Sequence, residues 1–166
     1  MQIMKRSNIR AISAPFLILA FTALSACSYL PKIIIVHDPL TPEEHVNLGV
    51  TYEKRGEYDA ALKQYKEASK KLPSAWVYMG NVCFEKGDRG KAEKYYIKAI
   101  AKDKNSPDAY NNLAWLYYTE NQKLDEAETL AARATQLASA DPSKAAMYKD
   151  TLEKIRTLRE GKKKAE

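Results

Sequence analysis

The chain has 166 residues, of which 45% are hydrophobic and 29% charged, with a formal charge of +6. That length gives one ordinary globular core and excludes two sizeable ones. Six Gly and seven Pro, set against long stretches rich in Ala, Leu, Lys, Glu and Tyr, exclude a sandwich of short strands and point to an all-α fold. The positive charge does not make a nucleic-acid binder. Lys5, Arg6 and Arg10 lie in a leader read below as removed, which lowers +6 to +3. Acidic and basic residues interleave along most predicted helices, and the one basic cluster, Lys162, Lys163 and Lys164, reads as a solvated end.

The first ten residues carry three positive charges and no acid, and an apolar run follows over residues 11–26, centred on Phe16-Leu17-Ile18-Leu19-Ala20-Phe21. This is the layout of a secretory signal peptide. The run is short for a bilayer span, which needs roughly 20 apolar residues, and Pro15 interrupts it; an uncleaved anchor is the other reading of the same residues. The run ends in Leu24-Ser25-Ala26-Cys27, which resembles the bacterial lipobox. The resemblance implies that residues 1–26 are removed and that Cys27 is lipidated and begins the mature protein, its thiolate being the strongest side-chain nucleophile available. A single acyl chain gives marginal membrane binding and two or more hold stably, so the lipid would dominate over the lysine tail, worth roughly 1 kcal/mol per charge at an anionic surface. Ser28 stands where a residue other than Asp resembles an outer-membrane address, which implies a lipoprotein of the outer membrane facing the periplasm.

Residues 27–40 have no helical period, contain Pro31 and Pro39, and read as a lipidated tether. Their β-branched run Ile33-Ile34-Ile35-Val36 leaves a second reading open, as a strand for a partner or a cover for the first helix.

From residue 41 the chain repeats itself. His45-x-x-Leu48-Gly49-x-x-Tyr52, Trp76-x-x-Met79-Gly80-x-x-Cys83 and Tyr110-x-x-Leu113-Ala114-x-x-Tyr117 share one pattern, with 31 residues from Gly49 to Gly80 and 34 from Gly80 to Ala114. Each is followed by a second pattern: Ala61-x-x-x-Tyr65-x-x-Ala68, Ala92-x-x-x-Tyr96-x-x-Ala99 and, more weakly, Ala127-x-x-x-Ala131-x-x-Ala134. These residues resemble the tetratricopeptide repeat, a helix–turn–helix unit of 34 residues. The resemblance implies a solenoid of three repeats over residues 41–140. The small residues at 49, 80 and 114 are expected to let paired helices approach, with large residues filling between successive pairs. The first unit is three residues short, so its second helix or the turn at Leu72-Pro73-Ser74 must be tighter. The third has one extra residue near Asn121-Gln122-Lys123-Leu124-Asp125, where the turn glycine of the others is missing.

Residues 141–160 carry Ala146, Tyr148, Leu152, Ile155 and Leu158 at helical spacing, with Lys149, Glu153, Lys154 and Arg156 as the outer face of a capping helix. Residues 161–166 follow as a basic tail. The expectation is therefore seven helices.

No catalytic constellation is present in the sequence. His37 falls in the tether and His45 at a packing position; there is no phosphate loop, no Cys-x-x-Cys and no metal-ligand set, so no cofactor, no metal and no enzyme activity are expected. Cys83 stands where sister repeats have Tyr52 and Tyr117 and reads as a packing thiol. In the family this chain resembles, ligands lie on the concave face of the first helix of each repeat. That implies a protein or peptide groove lined by Val46 and Val50, by Val77, Asn81 and Phe84, and by Asn111, Trp115 and Tyr118, with Glu43, Glu53, Lys54, Ser74, Glu85, Asp108 and Thr119 beside them. The alternative is that these side chains pack under the cap or the tether. A clamp for a C-terminal carboxylate is unsupported: Asn81 and Asn112 match its amides, but Val77 stands in place of the expected base. The leading expectation is a membrane-tethered adaptor or assembly factor of the cell envelope, comparable in layout to repeat lipoproteins of pilus and secretion machinery. The alternatives are an accessory subunit of a separately encoded envelope peptidase and a purely structural spacer.

Overall fold

The computed structural model describes residues 39–165. The signal peptide, Cys27 and all but the last two residues of the tether lie outside the described residues. Among the described residues there are seven helices and no strand: α1 (Pro42–Lys54), α2 (Tyr58–Ala68), α3 (Ala75–Glu85), α4 (Arg89–Lys102), α5 (Pro107–Thr119), α6 (Leu124–Leu137) and α7 (Pro142–Lys163). They pack as α1 with α2, α3 with α4, α5 with α6 and α6 with α7, and each hairpin stacks on the next.

Local chemistry sets the helix ends. Thr41 caps α1 by a reciprocal box: its hydroxyl accepts from the Glu44 N–H at 3.2 Å, and the Glu44 carboxylate accepts from the Thr41 N–H at 2.7 Å. Those two bonds hold the Glu44 carboxyl below its ordinary range. Asp88 caps α4 and Asp141 caps α7 in the same sense. The turns inside the first two hairpins need a left-handed residue, supplied by Gly56 (φ 74°) and Gly87 (φ 77°). The third hairpin uses Asn121 (φ 54°), the residue type that best tolerates this region after glycine, and its extra residue puts Lys123 there as well (φ 48°). Lys123 is tied down by its Nζ, which donates to Glu93 at 2.6 Å and lies over the Tyr117 ring. The three-residue deficit of the first repeat falls in its second helix: α2 has 11 residues and α4 has 14.

The small residues work differently from the sequence expectation. Gly49 and Gly80 make room for an aromatic ring rather than for a facing backbone. A Cβ on Gly49 would fall 2.7 Å from Cδ1 of Tyr65, and one on Gly80 would fall 2.5 Å from Cδ1 of Tyr96. The rings of α2 and α4 thus lie against the glycines of α1 and α3, and Tyr65 and Tyr96 are buried. Burying a large side chain contributes about 1.5–3 kcal/mol. The third repeat inverts both partners: Ala114 replaces the glycine, Ala131 replaces the tyrosine, and both are fully buried. Leu152 and Ile155 of α7 join that cluster.

Helix α7 differs from its expected register in two respects. Ala146 is exposed, and the inward set is Tyr148, Thr151, Leu152 and Ile155. Arg156 does not belong to the outer face; its Nε donates to Glu128 of α6 at 3.0 Å, and Arg159 pairs with the same carboxylate. The helix also continues to Lys163, through half of the expected tail, where Lys162 donates to the Asn121 carbonyl at 3.2 Å.

The ring-on-glycine packing is tested by a double-mutant cycle. Gly80→Ala alone should lower stability by about 1–3 kcal/mol through overpacking, and Tyr96→Ala alone by about 3–5 kcal/mol through the cavity it leaves. Together they reproduce the third repeat's pairing, so the combined loss measured by thermal or urea unfolding should fall short of the sum of the two single losses. Strict additivity would contradict the contact.

Candidate functional site

The first helices of successive repeats, α1, α3 and α5, line the same side, and their side chains bound three adjoining cavities. The first, about 250 Å³, lies among Ser74, Val77, Tyr78, Asn81, Ser106, Asp108, Asn112 and Lys144. The second, about 440 Å³, is bounded by Val50, Glu53, Lys54, Tyr58, Tyr78, Asn81 and Glu85. The third, about 280 Å³, is bounded by Glu53, Asn81, Phe84, Glu85, Tyr96, Asn112 and Trp115. Asn81 lines all three, so together they form one groove with Asn81 at its centre.

The Asn81 amide is fixed from two sides. Its Oδ1 accepts from the Tyr96 hydroxyl at 3.0 Å and from Nδ2 of Asn112 at 2.8 Å. Both acceptor lone pairs are then used, and Nδ2 of Asn81 is left as a donor with no partner among the described residues. Burial raises the Tyr96 phenol above its ordinary pKa, so the hydroxyl keeps its proton and remains a donor. Tyr65 is placed the same way: its hydroxyl donates to Glu53 at 2.6 Å, and burial, then that bond, raises its pKa. Each ring that packs on a glycine therefore also orients a groove-lining group of that glycine's own helix, Glu53 in α1 and Asn81 in α3.

The far end of the groove is closed by α7. Lys144 donates to Asp108 at 3.0 Å, and the Tyr148 hydroxyl donates to the same carboxylate. The cation beside Asn81 and Asn112 is thus already neutralised, and Val77 contributes only an apolar wall, so among the described residues no free base stands in the first cavity, where the clamp for a terminal carboxylate would need one.

Of the residues expected from the sequence, Val50, Val77, Asn81, Phe84 and Trp115 line the groove. Three do not. Val46 packs against the buried cluster of Ala61, Tyr65, Met79 and Val82. Asn111 is 9% exposed, and its Oδ1 is buried without a hydrogen bond; it lies one turn beyond Asp108, on the face that α7 holds. Tyr118 pairs with Trp115, ring centroids 5.0 Å apart, but lines a separate cavity with Glu153, Lys154, Thr157 and Leu158 of α7. The cap therefore covers part of the expected face. Sequence reasoning missed Tyr58, Tyr78, Ser106 and Lys144 as groove residues, and placed Asn112 only in the clamp it rejected. Tyr78 stacks on Tyr65 at 5.2 Å, a large residue beside each packing position that could have been found by reading the helix wheel more finely. Lys144 comes from another helix and leaves no local signal.

Cys83 is buried, and burial pushes its thiol up. His45 is 5% exposed with Nδ1 2.8 Å from Gln64 Oε1. Among the described residues no group of His, Cys, Asp and Glu is arranged to hold a metal, and no helix is long and apolar enough to cross a membrane.

Stacked helical hairpins with a groove along their first helices define a helical-repeat solenoid. Residues 42–75 and 73–106 match one tetratricopeptide repeat model and residues 95–129 match another. Together these cover 42–129, more than half of the 166 residues, and the chain belongs to the tetratricopeptide-repeat family. Among curated proteins, the Sol locus transcriptional repressor of Clostridium acetobutylicum is 35% identical over 78 residues, 45% of this chain and 24% of that protein. The match thus spans about a quarter of that relative's length. Among solved structures, PcrH from Pseudomonas aeruginosa is similar with a TM-score of 0.64 at 23% identity, covering 72% of this chain and 95% of that one. The type III secretion chaperone SycD of Yersinia enterocolitica, in complex with a peptide of the translocator YopD, is similar with a TM-score of 0.63 at 17% identity, covering 72% and 93%. These likenesses show the shared fold.

Proposed function

We propose that the protein is a non-catalytic adaptor or assembly factor of the cell envelope, which binds a protein or peptide partner in the Asn81 groove and is held to a membrane by lipid on Cys27. The observation that carries the binding half is the convergence of three cavities on one amide whose Nδ2 has no partner among the described residues. An extended peptide backbone offers the carbonyl that such a donor needs, and Val50, Val77, Tyr78, Phe84 and Trp115 supply apolar and aromatic area for its side chains. The SycD structure with a YopD peptide and the PcrH structure with the chaperone-binding region of PopD support this use of the fold. The anchoring half rests on the order of basic residues, apolar run and Leu24-Ser25-Ala26-Cys27, and the outer-membrane address rests on Ser28.

Partner binding is tested by capture from cross-linked membranes. Trp115→Ala should weaken recovery of a native partner at least tenfold, since truncating an aromatic hot spot costs about 2 kcal/mol or more and about 1.4 kcal/mol is a factor of ten. Lys94→Ala, on α4 outside the groove, should leave recovery unchanged. Equal capture by both variants, with circular dichroism showing both folded, would contradict the groove assignment.

Anchoring is tested by growing cells with a fatty-acid analogue. The wild-type protein should take up the label and Cys27→Ala should not. An unlabelled wild-type protein would overturn the lipid anchor while leaving the groove untouched.

A further inference from the structure

The groove carries a charge that the chain itself does not compensate. Glu53 and Glu85 line both the second and the third cavity, and in the third they are the only charged groups. Glu85 is exposed and makes no hydrogen bond or ion pair among the described residues. Glu53 spends one oxygen on the Tyr65 hydroxyl, at 2.6 Å. Apart from Lys54, which offsets one of the two carboxylates at the second cavity and does not line the third, the cations nearest to this place are engaged elsewhere. Arg89 lies 3.8 Å from the Phe84 ring centroid, but its Nε donates to Glu120 at 3.1 Å and its Nη1 to the Phe84 carbonyl at 2.6 Å. Lys154 is 5.7 Å from the Trp115 ring and donates to Asp150 at 2.6 Å. Lys144 and Asp108 cancel one another, and Lys54 borders the second cavity only.

We propose that the ligand of the groove is an extended peptide carrying an arginine or lysine side chain, seated between Glu53 and Glu85 against the rings of Phe84 and Trp115. This rests on the reading of the groove as the partner site and adds the chemistry of what enters it. Two carboxylates with free oxygens accept the fan of donors on a guanidinium or ammonium group, and charge-assisted bonds of this kind are roughly twice as strong as neutral ones. The rings of Phe84 and Trp115, which already carry Arg89 and Lys154, give the apolar stem of the same long side chain a wall to lie against. At about 280 Å³ the third cavity is smaller than the roughly 300–1,000 Å³ typical of whole small-molecule sites and suits one long side chain. The Asn81 Nδ2 beside it takes a carbonyl of the peptide backbone. Acidic peptides and terminal carboxylates are disfavoured, because they would meet two uncompensated negative charges.

The probe is a random dodecapeptide library displayed on phage, selected on the purified full-length chain. Counter-selection against the Asn81→Ala and Trp115→Ala variants keeps only groove-dependent sequences. The retained peptides should be enriched in arginine or lysine. Synthetic copies should bind at least tenfold more weakly to Glu53→Gln/Glu85→Gln, weaken as salt rises, and bind Glu126→Gln, outside the groove, as they bind the wild type. Groove-dependent peptides that lack a basic residue, or that bind the double glutamine variant unchanged, overturn the cationic ligand and leave the groove standing. A library that yields no groove-dependent peptide overturns both readings.

Discussion

The groove depends on one contact made twice: a tyrosine ring pressed against a glycine of the preceding helix. Tyr65 on Gly49 and Tyr96 on Gly80 fix how closely α2 approaches α1 and α4 approaches α3, because no Cβ fits beneath either ring. The same two hydroxyls reach across to Glu53 and Asn81, which line the groove. Core packing and the polarity of the binding face are therefore coupled through single side chains. Tyr96 ties α4 to α3, and Asn81 in turn takes a bond from Asn112 of α5, so three helices are registered through one amide.

The third repeat has no ring at this place: Ala114 and Ala131 are both fully buried, and α7 supplies apolar volume to the same cluster. Leu152 and Ile155 belong to it, Glu128 holds Arg156 and Arg159, and Asp108 holds Lys144 and Tyr148. The cap is thus a wall of the site as well as a lid on the solenoid: it neutralises the far end of the groove, where Lys144 meets Asp108, and brings no cation to Glu53 and Glu85 at the near end.

The seven helices were legible because the triplicated spacing of small and large residues is a property of the sequence alone; its short interval of 31 residues corresponds to a shortened α2, and the extra residue after Ala114 falls in the turn before α6. The reason for the glycines was not legible, since a small residue signals close approach without saying whether backbone or ring approaches. Val50, Val77, Asn81, Phe84 and Trp115 could be assigned to one face from repeat offsets. The misplacement of Asn111 and Tyr118 has one cause, the path of α7 across α5, which no periodicity within α5 can reveal. Lys144 was hidden for the same reason. The leader and Cys27 carry the clearest linear motif in the chain, and it lies outside the described residues.

The central claim is that a partner docks along the face that runs through Asn81. A photoreactive phenylalanine analogue at Phe84, in the groove, and another at Ile97, exposed on α4, compare the two faces directly in living cells. The account predicts a discrete cross-linked adduct from position 84 and none of that mass from position 97. The same adduct arising from position 97, with position 84 silent, would contradict it.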